Sequence, residues 1–184
     1  MRKKLILGLV GEIASGKDTA AAYLKKKYGA ETISFSQPLR DILDILHEPQ
    51  NRINMAGLGD GLRAQFGQDL LSKVIAKKVK ASGKAAIVLP NVRLESDIVY
   101  LKKLPGFVLV AVETDAKTRF QRLKERGQNT DDRSKTWAQF QKDARLYTER
   151  GIRALMKKCR FKLDNNGSRK DLERQINEMI RKIR

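Results

Sequence analysis

Cysteine, histidine and proline are scarce in this 184-residue chain, which contains one cysteine, one histidine and four prolines. The single cysteine, Cys159, cannot form an internal disulfide, and a lone thiol is typical of proteins from the reducing cytoplasm. One histidine and one cysteine are also too few for a zinc site built from these two residue types. We therefore expect a cytoplasmic protein whose fold depends on its hydrophobic core.

Long apolar runs are also missing. None approaches the roughly 18 residues that a membrane-spanning helix needs, so we expect no membrane segment. The first residues, "MRKKLILGLVG", superficially resemble a signal peptide. Their apolar run is too short, however, and it leads directly into a glycine-rich segment without a cleavage site, so we interpret it as a buried strand. The length and the 41% hydrophobic content fit one domain, residues 1–184, with one packed core.

The charge is strongly one-sided, because 39 Lys and Arg residues face 21 Asp and Glu residues and give a formal net charge of +18. A basic surface attracts polyanions such as nucleic acids, membranes and nucleotides, although a solvated lysine-rich surface explains the number equally well. Aromatic residues make up 6% of the chain, and no basic stripe is interleaved with them, as in surfaces that bind single-stranded nucleic acid. Nucleic acid is therefore a possible but not a favoured partner. The sequence leaves both a monomer and a homodimer open.

Strand and helix patterns alternate along the chain. Apolar segments of strand length occur in "KLILGLVG", "ETISFS", "AAIVLP", "FVLVAVET" and "FKLDNN". Between them lie helical patterns. One of them covers "LESDIVYLKKL", and another covers "GLRAQFGQDLLSKVIAKKVK", which we expect to break near Gly67. A further pattern runs from Trp137 to Cys159 with an interruption at Gly151. "HEPQNRINM" is typical of a loop. The alternation predicts an α/β fold with a five-stranded, mainly parallel sheet and helices on both faces, in which ligands bind at the carboxyl ends of the strands.

The most informative segment is "GEIASGKDTA", residues 11–20. Gly11, four further residues, Gly16 and Lys17 form most of a phosphate-binding loop, and the segment lies between a predicted strand and a predicted helix, as that loop requires. In such loops the backbone N–H groups surround the phosphates, the helix N-terminus adds positive potential, and the lysine reaches the β- and γ-phosphates. The expected ATP-binding residues are Gly11, Ala14, Ser15, Gly16, Lys17, Asp18 and Thr19.

The position after Lys17 normally carries a Ser or Thr whose hydroxyl contacts Mg²⁺, but here it is Asp18. Two roles stay open for this carboxylate. It can stabilise the N-terminus of the helix, or it can bind Mg²⁺ directly or through water. Thr19 would then supply a hydroxyl group to a phosphate. ATP and Mg²⁺ are the expected cofactors.

Several motifs resemble those of P-loop kinases of the nucleoside monophosphate kinase group, and the resemblance covers nearly the whole chain. "SGKDT" resembles the loop of phage-type deoxynucleoside monophosphate kinases, in which Asp is common at this position. "SFSQPLRDIL" and "GLRAQFGQDLL" resemble acceptor-binding segments, which implies that Arg40, Arg63 and Asp69 bind the acceptor. "NVR" resembles the "DVR" after the third strand of those enzymes, which implies an acceptor-binding and catalytic role for Arg93. The acid of that motif is replaced by Asn91, the second expected metal-linked residue.

The resemblance continues in the last third of the chain. "RLKERG" and the polar stretch behind it resemble a lid that closes over the transferring phosphoryl group. The implied lid residues are Arg122, Arg126 and Arg133. "FKLDNNGSRKDLERQI" resembles instead the last strand and loop of dephospho-coenzyme A kinases, a loop that lies near the adenine of ATP in this group. The implied nucleotide-binding residues are Asn165, Asn166 and Gly167.

Together these motifs imply a P-loop NTPase fold with an adenylate-kinase-like core (residues 1–35 and 81–184), an acceptor-binding insertion (about 36–80) and a lid (about 126–143). The implied activity is ATP-dependent phosphoryl transfer to a nucleoside or deoxynucleoside monophosphate, with Lys17, Arg93 and the three lid arginines as catalytic residues. Two alternatives stay open. One is a dephospho-coenzyme A kinase, although the acidic residues that those enzymes carry after the second strand are missing. The other is a nucleic-acid-associated NTPase.

Overall fold

The structure is a computed structural model that describes residues 4–126, 133–144 and 147–183. Its five strands form one sheet in the order β2–β3–β1–β4–β5, and every pair of neighbouring strands is parallel. The strands are β1 (Leu5–Val10), β2 (Glu31–Thr32), β3 (Ala86–Leu89), β4 (Phe107–Glu113) and β5 (Phe161–Asp164). This sheet confirms the predicted α/β architecture.

Helices cover both faces of the sheet. In chain order they are α1 (Lys17–Tyr28), α2 (Gln37–Ile45), α3 (Arg52–Phe66), α4 (Leu70–Ala81), α5 (Ala116–Arg126), α6 (Trp137–Asp143), α7 (Tyr147–Lys157) and α8 (Arg169–Ile183). Leu5, Leu7 and Leu9 of β1 pack with α1 and α8, whereas Ile6 and Val10 pack with α2, α4 and α7. The apolar run of β1 follows from this burial on both faces. Among the described residues, no helix is long and apolar enough to cross a membrane.

The helix predicted over "LESDIVYLKKL" is wrong, because two short 3₁₀ helices, Glu95–Ile98 and Leu101–Lys103, occupy this stretch. The buried carboxylate of Asp97 accepts two backbone hydrogen bonds from the turn before it. The N–H of Tyr100 donates to Ser72 Oγ at 3.0 Å. Side-chain acceptors of this kind compete with the regular hydrogen bonds of an α-helix.

The segment between β2 and β3 follows the predicted order with two shifted boundaries. The predicted loop after α2 is too long, because α3 begins at Arg52, where the side chain of Asn51 accepts a hydrogen bond from the N–H of Asn54 at 2.8 Å. The second strand is also shorter than predicted. The expected break at Gly67 is confirmed, since α3 ends there with a φ of 97°.

Gly151 does not interrupt a helix, contrary to the prediction. The break falls between α6 and α7, and Gly151 lies inside α7. A Cβ atom at Gly151 would lie 3.3 Å from Leu94 Cδ2 and 3.4 Å from the carbonyl oxygen of Arg93. The glycine therefore allows α7 to approach the turn after β3 closely.

Candidate active site

The phosphate-loop segment connects β1 to α1 at the carboxyl edge of the sheet. Gly16 has a φ of 93° and Ala14 a φ of 57°, so the backbone enters the left-handed region twice before α1. Such turns direct consecutive N–H groups toward one concave side, where an anion binds. A Cβ atom at Gly11 would lie 2.6 Å from both Ser15 Oγ and the carbonyl oxygen of Val112. A larger residue therefore does not fit at the start of the loop.

The ends of β4 and β5 fix the loop from behind. The carbonyl oxygen of Ser15 accepts hydrogen bonds from Asn165 Nδ2 at 2.8 Å and from Thr114 Oγ1 at 2.9 Å. The Asn165 side chain is buried, and a Cβ atom at Gly16 would lie 2.0 Å from its Nδ2. These contacts preorganise the loop backbone. The role of Asn165 near adenine stays a prediction, and Thr114 was missed because no sequence motif marks it.

Lys17 lies over the start of the loop. Its Nζ donates to the carbonyl oxygens of Gly11 at 2.7 Å and of Glu12 at 2.9 Å. In phosphate loops this lysine reaches the β- and γ-phosphates. Asp18 and Thr19 follow in the first turn of α1 and are exposed, where a carboxylate is favourable for the helix and is also accessible to a cation.

Asn91 follows β3 at the same edge of the sheet. The N–H of its neighbour Val92 donates to the carbonyl oxygen of Leu9 at 3.2 Å, which places this turn beside the end of β1. Within the described ranges, no group of three or more His, Cys, Asp or Glu side chains could hold a metal ion. Mg²⁺ in phosphotransfer sites needs one or two protein ligands besides phosphate oxygens and water. The assignment of Asp18 and Asn91 as Mg²⁺ ligands stays a prediction.

The loop also carries a carboxylate that pairs with two arginines. Glu12 Oε2 lies 3.0 Å from Arg119 Nη2, and Glu12 Oε1 lies 3.1 Å from Arg153 Nη1. Arg119 belongs to α5 and is buried, and its Nε donates to the carbonyl oxygen of Thr114 at 3.0 Å. Arg153 belongs to α7 and is half-exposed. No local sequence pattern indicates this cluster, because its members are up to 141 residues apart.

Two predicted acceptor-binding residues, Arg63 and Arg93, lie near the buried Asp97. Burial raises the pKa of the Asp97 carboxyl, although two backbone N–H donors and the charges of both arginines oppose this shift. Arg63 Nη1 lies 3.7 Å from the exposed Asp60, and its buried Nε has no hydrogen-bond partner in the described part of the chain. The charges of an arginine of α3 and an arginine of the turn after β3 thus act on the same buried carboxyl group.

The other two predicted acceptor residues lie near the ends of the insertion helices. Arg40, in the first turns of α2, is half-buried, and its Nη1 donates to Gln50 Oε1 at 2.8 Å. Asp69 occupies the N-cap position of α4, but its side chain does not cap the helix. Their contact with an acceptor stays a prediction.

The predicted lid arginines lie on α5 and just before α6. Arg122 is half-buried, and its Nη1 is a buried nitrogen without a hydrogen-bond partner among the described residues. Arg126 ends α5 and Arg133 precedes α6, and both side chains are exposed. Residues 127–132 of the predicted lid lie outside the described residues. Closure over a phosphoryl group therefore stays a prediction.

Three aromatic rings attach α6, which belongs to the predicted lid, to α5. The ring centroids of Phe120, Trp137 and Phe140 lie 5.3 to 5.5 Å apart. The guanidinium carbon of Arg119 lies 5.4 Å from the centroid of Phe140. The same arginine therefore contacts both the phosphate loop and α6.

Asn166 and Gly167 are exposed residues between β5 and α8. Asn166 Oδ1 accepts a hydrogen bond from the N–H of Asp115 at 2.8 Å. This contact joins the turn after β4 to the turn after β5. The predicted contact of both residues with adenine stays a prediction.

No protein-family model matches the chain. In sequence it is similar to the UPF0200 protein of Thermococcus kodakarensis, with 27% identity over 97% of this chain and 98% of the relative. It is also similar to the UPF0200 protein of Methanocaldococcus jannaschii, with 26% identity over 82% of this chain and 73% of the relative. The first similarity extends over nearly the full length of both chains and so includes the phosphate loop.

Among solved structures, the chain resembles TT1252 from Thermus thermophilus, with a TM-score of 0.63 at 16% identity over the whole of both chains. It resembles a shikimate kinase from Acinetobacter baumannii in complex with shikimate, with a TM-score of 0.57 at 16% identity over 97% of this chain and 94% of that one. A deoxyadenosine kinase from M. mycoides has a TM-score of 0.57 at 16% identity over 98% of this chain and 100% of that one. The chain therefore has the α/β fold of P-loop kinases, as the sequence predicts.

Proposed function

We propose that this protein is an ATP-dependent phosphotransferase that transfers the γ-phosphoryl group of ATP to a nucleoside or deoxynucleoside monophosphate. The observation that carries the proposal is the phosphate loop, in which left-handed residues, the buried Ser15 and the overlying Lys17 occur together at the carboxyl edge of a parallel sheet. A loop of this shape binds nucleotide phosphates through backbone N–H groups and the lysine. Residues 11–19 therefore form the donor site.

The donor site supplies charge rather than covalent chemistry. Lys17 provides a cation for the β- and γ-phosphates, and Asp18 and Asn91 would hold Mg²⁺. When bound, this ion neutralises phosphate charge and orients the transferring group. Phosphoryl transfer depends mainly on positioning and on electrostatic stabilisation, which a fixed loop backbone provides.

The acceptor site lies between the insertion and the turn after β3. Arg63 and Arg93, both near Asp97, provide positive charge for the acceptor phosphate, and guanidinium groups bind phosphate in a bidentate manner. Arg40 of α2 is the third arginine of the proposed acceptor site. The lid arginines would close over the transferring group and exclude water, which would otherwise hydrolyse ATP.

The similar structures support a small acceptor but differ in its type. The deoxyadenosine kinase is described with the products dCMP and dCDP, and the shikimate kinase with shikimate. The fold alone therefore does not select the acceptor. The choice of a nucleoside monophosphate rests on the motifs around Arg40, Arg63 and Asp69.

The proposal is tested by an acceptor screen. ADP release from ATP·Mg²⁺ is measured with the common ribo- and deoxyribonucleoside monophosphates, with dephospho-coenzyme A and with shikimate. We expect the best nucleoside monophosphate to exceed dephospho-coenzyme A in kcat/KM by at least about tenfold, or about 1.4 kcal/mol of transition-state preference. The Lys17→Ala variant is the matched control for contaminating kinases.

Two outcomes would replace this proposal by one of its alternatives. A preference of about tenfold or more for dephospho-coenzyme A would make the protein a dephospho-coenzyme A kinase. ADP release that RNA stimulates, and that no small acceptor changes, would make it a nucleic-acid-associated NTPase. RNA binding should in that case weaken steeply with salt.

A further inference from the structure

A carboxylate inside a phosphate-binding loop is unexpected, because it repels the phosphates that the loop attracts. Glu12 follows Gly11 directly, and its side chain is 15% exposed. Each of its carboxylate oxygens pairs with a different arginine. Cations from α5 and α7 therefore neutralise this anion within the loop.

The two arginines differ in their freedom to move. The Arg119 side chain is 5% exposed, donates to the carbonyl oxygen of Thr114 and packs on the ring of Phe140. The Arg153 side chain is 41% exposed, so part of it is accessible to a bound ligand. Arg119 is a fixed support for Glu12, whereas Arg153 can make a further contact.

Arg153 and Lys17 contact the same residue at the start of the loop. This residue, Glu12, offers its backbone carbonyl oxygen to Lys17 Nζ at 2.9 Å, and this lysine is the residue that reaches the β- and γ-phosphates in phosphate loops. We infer that Glu12 is a positioning residue that holds Arg153 beside the terminal phosphates of ATP. This inference rests on the proposed function, because it requires ATP in the loop.

The physical reason is mutual repulsion among the cations. Lys17, Arg119 and Arg153 are all anchored to Glu12, either to its carboxylate or to its carbonyl oxygen. Without the carboxylate, Arg153 loses its anchor and is repelled by the other two positive charges. If Arg153 contacts the terminal phosphate, ATP should lose more affinity than ADP.

The test is a double-variant cycle. Glu12→Gln keeps the shape of the side chain and removes its charge, Arg153→Gln removes the partner, and the double variant combines both. Calorimetry without acceptor gives the affinities for ATP·Mg²⁺ and ADP·Mg²⁺, and kcat is measured with the best acceptor. Glu173→Gln is the matched control, since it breaks an ion pair of 3.0 Å with Arg169 on α8. Thermal unfolding shows whether each variant is folded.

We expect each single variant to weaken ATP binding by about tenfold and ADP binding by less than about threefold, with kcat falling alongside the ATP affinity. The double variant should lie within about threefold of either single variant, because both remove the same interaction. Glu173→Gln should match the wild type. If Glu12→Gln folds poorly, the split between ATP and ADP in Arg153→Gln, at a half-exposed site, still decides the question.

The inference would be overturned if the variants lost equal affinity for ATP and ADP, or if the ATP affinity did not change. It would also be overturned if the effects of the two substitutions multiplied in the double variant. A wild type that binds ATP but phosphorylates no acceptor contradicts the proposed function, whereas the binding cycle still decides the role of Glu12. A wild type that does not bind ATP overturns both.

Discussion

The two halves of the candidate active site are built differently. In the phosphate loop, Ser15 is 1% exposed and its carbonyl oxygen accepts two hydrogen bonds. Side chains at Gly11 or Gly16 would collide with their neighbours. The insertion instead presents large apolar side chains to solvent. These are Ile45, Leu46, Ile53 and Phe66, which are between 57% and 82% exposed. The proposed donor site is thus preformed, whereas the segment that carries the proposed acceptor residues exposes apolar area to solvent.

An apolar cleft of about 280 Å³ lies between α2, α3 and α4. Pro38 and Leu70 line it from the first turns of α2 and α4, and Phe66 lines it from the last turn of α3. Because α4 leads into the amino end of β3, its first turn points toward the carboxyl edge of the sheet. We therefore expect the apolar part of the acceptor to contact this cleft.

The substitution with the largest expected effect removes the positive charge of Lys17. Lys17→Ala should lower phosphoryl transfer by at least about 1,000-fold, because cations of this kind carry the charge of the transferring group. The bonds of Lys17 to two loop carbonyls are partly buried, so we expect a change in Tm of no more than about 4 °C. Transfer rate and Tm are measured on one preparation. Near-normal transfer would refute the assignment of the donor site.

Removal of a side chain that supports the phosphate loop should make the loop less rigid. Asn165→Ala removes a buried donor to Ser15 and should lower the free energy of unfolding by about 1–3 kcal/mol, with weaker ATP binding. Denaturant titration and calorimetry measure the two quantities. Gln65→Ala, at an exposed position of α3, is the matched control and should stay within about 0.5 kcal/mol. Equal effects at both positions would contradict a preformed loop.

A Mg²⁺ titration distinguishes between the two roles considered for Asp18. If this carboxylate orders Mg²⁺, Asp18→Asn should raise the Mg²⁺ concentration at half-maximal rate by about tenfold, or about 1.4 kcal/mol. Adding Asn91→Asp should restore part of the loss, since it returns a carboxylate to the site. A Mg²⁺ titration of the wild type, both single variants and the double variant measures this. An unchanged midpoint with a lower Tm would leave Asp18 as a helix-terminal acid.

The substitution with the smallest expected effect tests the proposed acceptor site. Phe66→Ser removes a ring that is 62% exposed, so the free energy of unfolding should change by less than about 0.5 kcal/mol. The KM of the acceptor should rise by about three- to tenfold through lost apolar contact, whereas the KM of ATP should not change. Ile53→Ser, on an exposed residue of α3 outside the cleft, is the control. A higher KM for ATP, or an unchanged KM for the acceptor, would show that the cleft is not part of the acceptor site.

The elements that the sequence predicted well are those set by local patterns. The alternation of apolar strands and helices predicted the parallel sheet, and Gly16 and Gly67 marked turns with positive φ. Such signals depend on neighbouring residues, because the conformational freedom of glycine and the period of a strand are local properties.

The failures occurred where distant residues decide the local structure. The turn after β3 is set by Asp97 and by Ser72 of α4, and Gly151 serves contact with that turn rather than a helix end. Thr114 and Arg119 were missed because their role depends on the loop more than 90 residues earlier. Of the candidate site, the sequence could therefore indicate the loop but not the groups that hold it.

The most direct measurement of the central claim is the identification of the products by phosphorus NMR. Protein, ATP·Mg²⁺ and the preferred nucleoside monophosphate are incubated, with Lys17→Ala as the parallel sample. Phosphoryl transfer to the acceptor should give equal amounts of ADP and the nucleoside diphosphate in the first sample, and neither product should form in the second. ADP together with an equal amount of inorganic phosphate, and no phosphorylated acceptor, would contradict it.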